Sequence, residues 1–210
     1  MKITHHLDDS TLMSCAAGSQ PEALAAVVSS HLAVCPRCRA ELREHTLIGE
    51  ALFDALEPEP VVREAPAVQV RAGDATVRAD AAMELPRELV AALEGRFDEI
   101  AWRRAAPGVW HFPVTLSEGA KGDLRLLKVS PGTKLPEHGH GGSELTIVLD
   151  GAYSDEFGTF RRGDVADLGD DAQHRPIADP KQGCICLAAS DAKPRFTGWI
   201  ARMLQPLAGI

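Results

Sequence analysis

The spacing Gly132-x5-His138-x-His140-x3-Glu144-x6-Gly151 constrains this chain more than any other feature of it. His138 and His140 stand two apart, so on an extended strand edge both imidazoles point the same way. Glu144 enters the apolar run Leu145-Thr146-Ile147-Val148-Leu149 and can add a carboxylate on that face. Gly151 permits a sharp turn, and Leu149-Asp150-Gly151-Ala152 reads as a hairpin. A third imidazole, His174, follows the turn Gly163-Asp164, eleven residues after the glycine. Three imidazoles and one carboxylate suit Zn²⁺, Fe²⁺, Mn²⁺ or Ni²⁺, and ligand type alone does not choose among them.

The residues around this pattern read as short strands. After a brief helix at Arg87 to Leu93 come Trp110 to Val114, Leu124 to Val129, Leu145 to Leu149, Cys184 to Ala188 and Gly198 to Leu204. Pro131-Gly132, Asp150-Gly151, Phe157-Gly158 and Arg162-Gly163-Asp164 mark turns between them. Many short strands with regular turns predict a sandwich or barrel. Cys184 and Cys186 share one strand face, with Cα atoms roughly 6.5 to 7 Å apart, at the edge of disulfide reach. They read as small core residues first, with redox-sensitive thiols or spare metal ligands as the other readings. His111 reads as structural or as a surface residue.

The other end of the chain is helical. Asp8 or Asp9 can cap a helix through Leu12, Met13 and Ala16, and Gly18 ends it. Ser19 and Pro21 open a second helix with an apolar stripe at Leu24, Val27, Val28 and Leu32. A third begins near Pro36 and carries Leu42, Leu47, Ile48, Leu52, Phe53 and Leu56, with His45-Thr46 as a possible break. Glu57-Pro58-Glu59-Pro60 stops helix formation. The chain thus divides into a helical domain at 1–57, a linker at 58–85 and a β domain at 86–210.

Within the helical domain, His31, Cys35 and Cys38 form a His-x3-Cys-x2-Cys array. Residues four and seven apart share a helix face, and Pro36 offers a knuckle that brings the two cysteines together. Two thiolates and an imidazole suit zinc, whose structural sites take four ligands in a tetrahedron. His5, His6, Cys15 and His45 are available as the fourth. His6 is the choice, because it lies just before the first helix, whose packing on the second would bring it near His31. Zinc would then contribute directly to the folding of a module with little core of its own.

Charge and composition narrow the classes of function. A net charge of −8 argues against direct nucleic-acid binding and is compatible with a basic protein partner. No apolar run approaches the roughly 20 residues that span a bilayer, and the start of the chain lacks the pattern of a signal peptide. These features predict a cytoplasmic protein without a membrane segment, in which the five cysteines stay reduced.

Two resemblances gather these residues. Gly132, His138, His140, Glu144 and Gly151 resemble the first cupin motif with every fixed position filled. Gly163, Asp164 and His174 resemble the second, without its usual proline. His6, His31, Cys35 and Cys38 match the zinc-binding anti-sigma domain of the ChrR type, including the His5-His6 pair whose second member is the family's ligand. That resemblance extends over essentially the whole chain. It implies a multidomain α + β protein, a small zinc-stabilised helical bundle followed by a cupin β-barrel of the jelly-roll type. It further implies zinc in the helical module, and zinc or another divalent transition metal in the barrel. The partner it implies is an extracytoplasmic-function sigma factor, bound as a 1:1 heterodimer and held away from core RNA polymerase. In the family a fourth helix, matching Leu47 to Leu56, presents an apolar face to that partner; periodicity alone equally allows those residues to pack inside the module. Singlet oxygen or a related oxidant is the implied releasing signal, in a stress response. The rival reading is a metal-dependent cupin enzyme, a dioxygenase or isomerase, with the zinc module as an appendage. Against it, no general base or substrate-anchoring arginine is readable beyond the ligands.

Overall fold

Helix formation at the N-terminus follows the breakers in the chain. In a computed structural model, residues 2–57, 87–139 and 142–191 are described, with the backbone alone at 87, 88, 195 and 196. The linker at 58–85, the expected strand from Gly198 to Leu204 and His140 lie outside the described residues. Helix α1 (Asp9–Ala16) ends before Gly18, whose φ of +64° turns the chain. Helix α2 (Glu22–Val34) gives way at Cys35, which is extended, and Pro36 takes the first position of α3 (Pro36–Asp54). There its missing N–H is one the helix would leave unpaired anyway.

His45-Thr46 does not break α3, which continues to Asp54. The Thr46 hydroxyl donates to the Leu42 carbonyl at 2.9 Å, one turn back, so it offers the backbone no competing partner. The separate fourth helix implied at Leu47 to Leu56 is therefore the second half of α3 and the two residues that follow it. Helix α1 packs mainly on α3, and α2 turns instead to the β half of the chain.

After α4 (Arg87–Leu93) and a short 3-10 turn, eleven strands follow among the described residues, all paired antiparallel: β1 (Arg103–Ala106), β2 (Val109–Pro113), β3 (Asp123–Val129), β4 (His138–Gly139), β5 (Glu144–Asp155), β6 (Gly158–Arg161), β7 (Val165–Leu168), β8 (Gln173–His174), β9 (Ile177–Ala178), β10 (Cys184–Ser190) and β11 (Arg195–Phe196). One sheet runs β1-β2-β3-β10-β5-β6, with β7 and β9 also on β5; a smaller one runs β11-β4-β8.

Asp150-Gly151 is not a hairpin turn: β5 runs straight through it. Cys186 pairs with Val148 and Ile185 with Asp150, so Leu149 is the extra residue of a β-bulge. Gly151 relieves the bulge with φ of +69°, and a Cβ there would sit 2.2 Å from the Gly183 carbonyl oxygen. Phe157-Gly158 is the true hairpin, joining β5 to β6. The bulge has a second effect, since one extra residue reverses the alternation along the strand. Glu144, Thr146 and Val148 share a face before it; Gly151, Tyr153 and Asp155 continue that face after it.

The two sheet faces carry two cores. On one, Leu124, Leu126, Leu145, Ile147 and Leu187 pack with Leu24, Val27 and Val28 of α2 and Leu89 of α4. On the other, Val109, Val148, Tyr153, Phe160, Leu168, Cys184 and Cys186 fill the barrel. The apolar stripe of α2 is thus spent on the barrel. Each Leu or Val so buried contributes about 1.5–3 kcal/mol. The helical module and the barrel share a core.

Candidate metal centres

Cys35 and Cys38 flank the start of α3, and the knuckle at Pro36 lets the Cys38 N–H approach the Cys35 sulfur at 3.5 Å. His31, on the last turn of α2, brings its ring to the same point. His6 arrives from the extended segment before α1. One ligating atom from each of the four lies within 4.8 Å of the others. His6 Nδ1 is 3.3 Å from Cys35 Sγ and 3.6 Å from Cys38 Sγ. Those separations match the edges of a zinc tetrahedron with nitrogen and sulfur corners, about 3.3–3.8 Å.

Two further observations fit a cation. The His31 Nδ1–H donates to the Gly163 carbonyl at 3.0 Å, which leaves Nε2 as the lone-pair nitrogen. That Nε2 is buried without a hydrogen-bond partner among the described residues. An orphaned acceptor of this kind costs about 1–3 kcal/mol unless something occupies it. Burial holds the His31 imidazole down at about 4 and also lowers His6, so both rings are neutral and able to ligate. Burial pushes the Cys38 thiol up to about 11, so a cation is what would favour its thiolate.

His6 is not delivered by α1 packing on α2, the route that sequence suggested. It is held by the barrel. Thr4 N–H and His5 N–H donate to Asp164 Oδ1 at 2.6 and 3.1 Å, and Asp8 N–H donates to Asp167 Oδ2 at 3.0 Å. The other candidates for the fourth corner are occupied elsewhere. His5 stacks on Phe160, with ring centroids 4.2 Å apart, and His45 faces Asp9 at 3.7 Å. Cys15 lies half-buried outside the cluster.

The second cluster lies within the barrel half. His138 on β4 pairs across the small sheet with His174 on β8, and their Nε2 atoms are 3.2 Å apart. Glu144, at the start of β5, places Oε1 4.0 Å from His174 Nε2. His140 lies outside the described residues, so three of the four expected ligands are seen together. His138 Nδ1–H donates to the Pro136 carbonyl at 2.9 Å, and His174 Nδ1–H to Asp155 Oδ2 at 2.8 Å. With Nδ1 of each ring so engaged, the two Nε2 atoms turn toward each other, with Glu144 beside His174, the positions from which they would ligate a cation.

Asp155 was not foreseen. Its side chain is fully buried, and it orients His174 as a carboxylate behind a ligating histidine does. Strict alternation from Glu144 would have turned it outward, and only the bulge brings it inside. Cys184 and Cys186 are buried on the same barrel face, close to each other. The contact with Cys184, together with burial, pushes the Cys186 thiol well above its ordinary value. That environment fits the core reading for Cys186, whose thiol it keeps protonated. His111 is also buried, on β2, and takes no part in either cluster.

A helical module organised by two histidines and two cysteines, continuous with a cupin-type barrel, defines a narrow class of two-part protein. Residues 91–193 match the ChrR cupin-like domain. Over 98% of this chain and 98% of its own length, the anti-sigma-E factor ChrR of Cereibacter sphaeroides is 33% identical. The crystal structure of Rhodobacter sphaeroides SigE in complex with the anti-sigma ChrR is similar with a TM-score of 0.70 at 33% identity, covering 90% of this chain and 100% of that one. This chain belongs to the ChrR family of anti-sigma factors.

Proposed function

We propose that this chain binds an extracytoplasmic-function sigma factor one to one and keeps it inactive, and that its barrel responds to an oxidant, singlet oxygen, by allowing release. The observation that carries the reading is the second half of α3. Leu47, Ile48, Leu52 and Phe53, on a helix whose first half is anchored at Cys38, and Leu56 just past its end are all more than half exposed. A run of large apolar side chains left in water marks a protein-binding surface. The similarity to a chain solved in complex with SigE supports a sigma factor as the occupant.

His6, His31, Cys35 and Cys38 would hold zinc, and the fit of their separations and of the orphaned His31 nitrogen supports this. Bound there, zinc supplies a cross-link between the segment before α1, the end of α2 and the start of α3. The residues do the rest: α2 anchors the module on the barrel, and the knuckle sets the direction in which α3 leaves. In the barrel, His138, His140, Glu144 and His174 would hold zinc or another divalent transition metal, with Asp155 and the Pro136 carbonyl fixing two of the rings. Loss or oxidation of this ligand set would be the event that loosens the module. A sigma factor is an intracellular partner, which would place this chain in the cytoplasm. No helix among the described residues is long and apolar enough to cross a membrane.

Coexpression with the sigma factors encoded nearby tests the reading. A stable 1:1 complex on gel filtration, carrying one zinc at the thiolate site, is expected. Substitution of His138, Glu144 or His174 should leave the complex intact and abolish its release by singlet oxygen. Absence of any sigma complex, together with turnover of a small substrate by the iron-loaded chain, would establish the cupin-enzyme reading instead.

A further inference from the structure

The turn between β6 and β7 touches the thiolate site at two points. The Gly163 carbonyl takes the His31 Nδ1–H, which fixes the ring's tautomer and aims Nε2 at the two sulfurs. Asp164, whose side chain is essentially buried, takes the N–H groups of Thr4 and His5, the residues leading into His6. Its second oxygen takes the Arg161 N–H, so one carboxylate closes the turn and captures the N-terminal segment. The same turn is tied to the barrel's long strand. Gly163 N–H donates to the Val148 carbonyl at 2.8 Å, and Val148 N–H donates to the Asp164 carbonyl at 3.1 Å. Val148 lies on β5 between Glu144 and Asp155, the two carboxylates of the barrel cluster.

We propose that Gly163 and Asp164 are positioning residues of the N-terminal zinc site, contributed by the barrel, so that the turn they form couples the barrel to zinc retention in the helical module. Both histidine ligands then depend on a turn tied to β5, whereas Cys35 sits at the knuckle between α2 and α3 and Cys38 on the first turn of α3. The barrel thus orients the imidazole half of the site, and the α2–α3 knuckle holds the thiolate half. Displacing the turn would pull the two halves apart without any change in the ligands themselves. Partners that orient metal-ligating histidines change metal affinity about 10- to 100-fold when removed. This inference rests on the reading that the thiolate cluster holds zinc.

The test uses the full-length chain loaded with zinc, and separately with cobalt, whose thiolate charge-transfer bands report the Cys35/Cys38 site and not the His/Glu barrel site. Asp164→Asn keeps the shape of the side chain and turns one acceptor oxygen into an amide that repels the N–H groups facing it. Thr4→Pro deletes one of those N–H groups from the opposite side and leaves the barrel chain unaltered. Both variants should release zinc to a chelator about ten-fold faster than the parent. Both should also shift the cobalt–thiolate spectrum, with barrel tryptophan fluorescence and barrel metal content unchanged. Parental release rates and spectra in both variants would overturn the coupling. So would faster release that appears only in step with a lowered melting temperature of the barrel, because Asp164 would then serve its own turn alone. If the parent itself binds neither zinc nor cobalt through thiolates, the zinc reading fails first, and the two failures are told apart.

Discussion

At His31 a single ring joins the chemistry of the site to the stability of the molecule. Its Nδ1–H is spent on Gly163, its Nε2 is buried without a hydrogen-bond partner among the described residues, and burial holds its pKa at about 4 against an ordinary value of 6.5. The sign of the linkage follows directly. Between those two values the unfolded chain takes up a proton that the folded, zinc-stripped chain refuses, so stability falls as pH drops through that window. Above 6.5 neither state is protonated there, and below about 4 both are, so the loss is confined between them. Denaturant titrations of chelator-treated protein at pH 7, 6 and 5 should show this decline. His31→Gln should flatten it over the same interval. A slope that survives the substitution would assign the decline to other groups.

At the scale of elements, α3 performs two tasks with its two halves. The first half is tethered through Cys38; the second leaves the body of the protein with Leu52 and Phe53 about two-thirds and three-quarters exposed. Exposed residues carry little folding energy, so Leu52→Ala and Phe53→Ala should change stability by no more than about 0.5 kcal/mol. At an interface, central apolar and aromatic anchors are the residues whose truncation costs about 2 kcal/mol or more, roughly 30-fold in affinity. Binding of the sigma factor by calorimetry should therefore collapse in variants whose melting temperature is unchanged; intact affinity in both would remove this face as the docking surface. Much of this was legible in the sequence. Pro36, Gly18 and Glu57-Pro58 placed the helix ends because backbone geometry at proline and glycine is local. Metal-ligand spacing is likewise local, and it brought His31, Cys35 and Cys38 together before any fold was known. What stayed hidden depended on non-local pairing. The bulge at Leu149 exists because of register against β10, so neither the continuous β5 nor the inward Asp155 could be read from alternation. The exposure of Leu47 to Leu56 was equally undecided, since periodicity defines a face and not what covers it.

At the scale of the whole molecule, the boundary at 57/58 divides the sequence and not the core. With α2 lying across Leu126, Leu145 and Leu187, removing it would expose a broad apolar sheet face, and the barrel would lose the cover that makes that face stable. A molecule built this way unfolds as one unit, whereas two domains on a linker would melt separately. The chain supplies its own probes for the distinction. Two of its three tryptophans, Trp102 and Trp110, lie in the barrel half, and the cobalt–thiolate bands belong to the helical half. Thermal unfolding of the cobalt-loaded chain should give coincident transitions by the two signals. Val28→Asn, in the middle of the α2 contact and fully buried, should lower both together, because an amide without a partner there costs about 1–3 kcal/mol. Separate transitions, with only the thiolate signal displaced by Val28→Asn, would mean that the two halves are stable independently. Coincident transitions would instead make the shared core, together with the Gly163–Asp164 turn, the route by which damage in the barrel reaches the surface that grips a partner.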